Sequence, residues 1–154
     1  MGYNYSIDEI KKKVKISLGI LFRNDSFLLE NGANERSVAH KLAEYLQIQF
    51  PDWNVDCEYN RKGLAQKILD RIHECSKQKK TDRVYPDIIV HRRNTDDNLL
   101  VVEIKIKDED CCDIEKLKKF TSTSGDFKYR LGLFIKFNEK EPLRWFENGT
   151  KTAN

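Results

Sequence analysis

Apolar residues along the chain switch between two repeat lengths, and the switches mark the elements. Ile7, Ile10, Val14, Leu18 and Leu21 recur at helical spacing and lie on one face of a first helix. Ser6 and Glu9 stand at its start with the spacing of a capping box. Residues 23–34 carry Asn, Asp and Gly and read as a connection. Val38, Ala39, Leu42, Ala43 and Leu46 resume helical spacing, which predicts a second helix from an Asn34 N-cap to Ile48. Val55, Cys57 and Tyr59 then alternate with Asp56, Glu58 and Asn60, the period of a strand. Leu64, Ala65, Ile68, Leu69, Ile72 and Cys75 return to a helix, and a basic loop, SKQKKTDR, follows. Two apolar runs, DIIV and LLVVEI, flank the polar stretch 92–98 and predict a strand hairpin. Asp113 is a candidate cap for a helix carrying Ile114, Leu117 and Phe120. Residues 128–137 alternate again, PLRWF adds a last strand, and residues 149–154 are expected to fray. The resulting class is α/β: a central mixed β-sheet flanked by helices.

Length and composition narrow this picture. The 154 residues suit a single domain, 1–154. Charged residues make up 34% and apolar ones 39%, enough for a core because the apolar positions are clustered and periodic. A net charge of +3 says little about partners. No apolar run reaches membrane-spanning length and no signal-peptide pattern opens the chain, so no membrane contact and a cytoplasmic location are expected. Cys57, Cys75, Cys111 and Cys112 lack disulfide-scaffold spacing and are expected to be reduced thiols. Their spacing with His73 matches no common zinc finger. The Asn148-Gly149-Thr150 sequon is read as chance.

The hairpin carries the candidate chemistry. With His91 opposite Leu99, Asp87 falls opposite Glu103, and Glu103 and Lys105 share that face. A slip of one residue would break the alignment. Facing carboxylates repel, the more so when buried, unless a cation lies between them. Hard oxygen donors on a rigid sheet suit Mg²⁺ or Mn²⁺. Lys105 would then face the attacking water or a scissile phosphate. Against this stands an ordinary hairpin with a solvated polar face.

Pro86-Asp87, then fifteen residues, then Glu103-Ile104-Lys105 resembles the PD-(D/E)XK nuclease superfamily, the restriction-endonuclease-like fold. The predicted elements follow that family's α-β-β-β-α-β core over roughly residues 34–137, with an N-terminal helix added and the helix at 64–76 inserted. The stretches Asn34-Glu35-Arg36 and FPDWNVDCEYNR also resemble small bacterial and prophage members of that superfamily, which brings no substrate. The resemblance implies a divalent-metal-dependent nuclease acting on DNA in preference to RNA. Asp87, Glu103 and the Ile104 carbonyl would hold Mg²⁺ or Mn²⁺, Lys105 would be the catalytic lysine, and Glu35 the helix-borne acid. The alternative is a nuclease-fold module with little or no catalysis that binds nucleic acid or a protein partner. With no separate DNA-reading region in view, specificity would come from a homodimer or a partner.

Other residues have two readings each. Glu35 in a first helical turn is also favoured by the helix dipole alone. Glu58 either approaches the metal or pairs with a basic neighbour. His91 either binds phosphate or is simply exposed at the hairpin end. Lys116, Lys118 and Lys119 either hold phosphates or line a solvated helix face. Arg61-Lys62, Lys77 to Lys80 and Arg92-Arg93 suggest a phosphate-binding rim.

Overall fold

The computed structural model describes residues 4–32, 34–57, 85–106 and 111–153. Helix α1 (Ile7–Glu30) opens on the capping box: Glu9 N–H donates to Ser6 Oγ, and the Glu9 carboxylate accepts from Ser6 N–H. It runs past the connection expected at 23–34, with a kink at Asp25 (φ −128°, ψ 21°). The Tyr45 hydroxyl donates to the Asp25 carboxylate there, a contact that ties the kink to the next helix. Helix α2 (Glu35–Gln49) starts at Asn34, whose side chain accepts from Ser37 N–H at 2.9 Å. Ile10, Val14 and Leu21 of α1 share one core with Val38, Leu42 and Leu46 of α2.

Among the described residues, six strands form one mixed sheet: β1 (Asn54–Cys57), β2 (Ile88–His91), β3 (Asn98–Lys105), β4 (Leu131–Lys136), β5 (Leu143–Glu147) and β6 (Thr150–Lys151), in that spatial order. Neighbours are antiparallel except β3 and β4. A parallel pair needs a crossover, and helix α3 (Cys111–Thr121) lies within it. It begins two residues before the expected cap, so Asp113 lies in its first turn. Within the stretch expected to fray, Thr150 and Lys151 form β6. Asn148 and Gly149 take positive φ (51° and 79°) in a turn that pairs Thr150 with Glu147, and Thr152 N–H donates to Trp145 O. Glu58, the helix at 64–76 and the basic tract after it lie outside the described residues.

The sheet is covered on both faces, which is why β2 and β3 read as apolar runs rather than alternating ones. Leu100, Val102 and Ile104 join Leu131, Leu133 and Ile135 in the core under α1 and α2. Val101, on the other face, packs with Leu117, Phe120, Phe134 and Phe146 beneath α3. Phe134 and Phe146 are fully buried, each worth roughly 1.5–3 kcal/mol of apolar transfer. Side chains alternate along a strand, so Glu103 and Lys105 fall on the α3 face with Val101. Among the described residues, no helix is long and apolar enough to cross a membrane.

Candidate active site

The hairpin register brings the two acids together. Ile88 pairs with Val102, Ile89 with Val101 and Val90 with Leu100. The same register carried one residue back sets Asp87 beside Glu103. It slips only at the other end, where His91 pairs with Asn98 rather than Leu99. Asp87 Oδ2 accepts from the Ile104 N–H at 2.7 Å, and the Asp87 and Glu103 side chains lie within hydrogen-bond reach of each other.

Both acids are out of water, and their protonation shows it. Burial pushes the Asp87 carboxyl up from its ordinary 3.8 to about 6, although the Ile104 N–H and Lys116 pull the other way. Glu103 is 2% exposed, and burial drives its pKa well above the ordinary carboxylate value against the pull of Lys116. Asp87 and Asp113 add to the rise.

Helix α3 roofs this pair. Asp113 and Lys116 share the inward stripe of Leu117 and Phe120. Lys116 Nζ lies 3.3 Å from Glu103 Oε1 and 3.0 Å from Asp113 Oδ1. Burial works against this ammonium, but Glu103 and Asp113 outweigh it and hold its pKa above the ordinary lysine value. Lys105 Nζ lies 3.4 Å from Asp113 Oδ2 and 3.9 Å from Glu35 Oε2. Glu35 projects from the start of α2 and accepts from the Ile106 N–H at 3.3 Å. Glu35, Asp87, Glu103, Lys105, Asp113 and Lys116 are thus linked in one polar cluster.

The donor set suits a hard cation by chemistry and charge. Glu103 Oε1 and Asp113 Oδ2 are buried and, among the described residues, accept no hydrogen bond. Among the described residues the cluster holds four carboxylates against two ammonium groups, an imbalance that one divalent ion or two protons would cancel. No three His, Cys, Asp or Glu side chains among the described residues form a ready-made metal cage. The Lys116 ammonium bridges Glu103 and Asp113 instead.

Asp113 and Lys116 are the residues that sequence reasoning missed as partners of the acids. The signal was their spacing with Leu117 and Phe120, which marks them as polar side chains on the buried stripe of an amphipathic helix. Lys118, by contrast, is only partly buried and pairs with Glu115.

His91 is neither exposed nor turned to solvent phosphate. It is 1% exposed, with Nε2 2.7 Å from Asp56 Oδ2. Arg93 also pairs with Asp56, and together these two partners hold that carboxyl below its ordinary value against the opposing effect of burial. The guanidinium of Arg92 lies 4.0 Å from the centre of the Trp53 ring and pairs with Asp97. Of the expected basic rim, then, the Arg92-Arg93 part has intramolecular partners, and the rest lies outside the described residues. Among the described residues, Cys57 and Cys112 form no disulfide.

The fold and cluster define an α/β protein with an acid–lysine centre under a helix. Comparison with protein-family models, curated proteins and solved structures gave no match.

Proposed function

We propose that the chain is a divalent-metal-dependent nuclease that hydrolyses DNA phosphodiester bonds on a restriction-endonuclease-like core. The observation that carries this reading is the buried Asp87–Glu103 pair, with Lys105 on the same strand face as Glu103. Asp87, Glu103 and the Ile104 carbonyl would hold Mg²⁺ or Mn²⁺, with Glu35 helping directly or through water. When bound, the ion supplies a Lewis acid for the phosphoryl oxygen and a more acidic water. Lys105, which is less deeply buried than Glu103, orients that water and stabilises charge on the phosphate during attack. Glu35 and Asp113 restrain the Lys105 ammonium from two sides.

The test is incubation with labelled single-stranded, double-stranded and branched DNA and with RNA, with and without Mg²⁺ or Mn²⁺. Metal-dependent cleavage is expected, reduced by orders of magnitude in Glu103→Gln and Lys105→Ala, while DNA affinity changes much less. A second reading, a nuclease-fold module that binds without cutting, is favoured by the Lys116 bridge across the acids. It becomes the better one if no substrate is cut with either ion, yet the wild type binds nucleic acid as well as both variants do.

A further inference from the structure

We infer that Lys116 is a displaceable resident cation, whose ammonium neutralises Glu103 and Asp113 until a divalent ion takes its place. This deepens the metal-dependent reading and rests on it. Lys116 reaches the acids from α3, on the roof of the site, whereas Asp87 and Glu103 come from the sheet. Its Nζ bridges one carboxylate from each layer, at 3.3 Å and 3.0 Å. Yet the contacts are loose: Lys116 Nζ at 3.3 Å from Glu103 Oε1 and Lys105 Nζ at 3.4 Å from Asp113 Oδ2 are ion pairs without hydrogen-bond geometry. One ammonium has three donors and a single charge, and it leaves this acid-rich cluster with excess negative charge. A hard dication can engage more carboxylate oxygens at once and carries twice the charge.

The exchange also has a direction. A monovalent ion replacing Lys116 would gain no charge and would still have to move the side chain. A divalent ion gains a charge in a site shielded from water, where electrostatic interactions are strong. Lys116 therefore selects for divalent over monovalent cations. The four-carbon stem lets its head group swing away while Asp113, three residues earlier on the same helix, stays in place.

Mn²⁺ binding at pH 8, followed by electron paramagnetic resonance of the free ion, tests this in the wild type, Lys116→Gln and Lys116→Arg. Removing the competing charge should tighten Mn²⁺ binding in Lys116→Gln by about tenfold or more, whereas Lys116→Arg should bind no tighter than the wild type. Equal affinity in the wild type and Lys116→Gln, lost in both on adding Glu103→Gln, would overturn displacement and leave the metal site standing. Mn²⁺ binding by neither protein would overturn both. Should Lys116→Gln fail to fold, the wild type still decides. Its Lys116 ¹⁵Nζ resonance should shift as Mg²⁺ fills the site, and a resonance unchanged at saturating Mg²⁺ would overturn the inference.

Discussion

Replacing Asp87 by Asn tests the buried acid pair without any substrate. Asn keeps the size and a carbonyl oxygen that can accept from the Ile104 N–H, but it cannot ionise. In the folded chain the Asp87 carboxyl titrates near 6 rather than 3.8, because burial disfavours its charge. The folded state therefore holds more protons than the unfolded state between these values, and stability falls as pH rises through that window. The full penalty is present above about pH 6 and absent below about pH 4. The displacement corresponds to about 3 kcal/mol. Urea unfolding with chelator present should show the wild type losing stability relative to Asp87→Asn by about that amount between pH 4 and pH 7.5. Comparison at each pH cancels most of what the other groups contribute. Adding Mg²⁺ at pH 7.5 should stabilise the wild type and leave Asp87→Asn nearly unmoved. A wild-type-to-variant difference that stays flat from pH 4 to pH 7.5 would refute the placement of a desolvated carboxyl at residue 87.

Three further outcomes follow from the packing. Gly132→Ala would set a methyl 2.9 Å from Thr121 Cγ2 and 3.3 Å from Phe146 Cβ, beneath α3, and should lower urea-measured stability by roughly 1–3 kcal/mol. Asn34→Ala removes the N-cap of α2 and should cost about 1 kcal/mol in the same assay. Asp56→Asn weakens the pairing with His91 and Arg93 and should destabilise by roughly 1–3 kcal/mol at pH 7, an effect absent if Asp56 were solvated.

The local pattern carried most of the regular elements, and what it missed depended on distant partners. Apolar runs around a polar turn placed β2 and β3 and nearly their register. No local signal predicted the slip at His91, which is buried against Asp56 on a neighbouring strand. Asn24, Asp25 and Ser26 read as a loop because the Tyr45 contact that accompanies the helix there is twenty residues away. Strand β6 is too short to show a period, although Asn148-Gly149 is a hairpin-turn pair that could have announced it. In the site, Glu103 and Lys105 were legible as residues of one strand face. Lys116 read as one of three helix lysines, and burial of that particular one is set by how α3 docks.

The docking of α3 has a kinetic consequence. This helix lies in the crossover that closes the parallel β3–β4 pair and also supplies Asp113 and Lys116 above Glu103. Seating it against Phe134 and Phe146 therefore completes the core and shuts the polar cluster in one event. Tyr129 N–H donating to Phe120 O and Gly149 N–H donating to Thr121 Oγ1 fasten its far end to the chain that follows. Opening at the Asp113 end would have to part the Lys105–Asp113 and Lys116–Glu103 ion pairs. Ions and protons would enter the cluster at the rate of that local opening, with the β2–β3 hairpin staying folded beneath it.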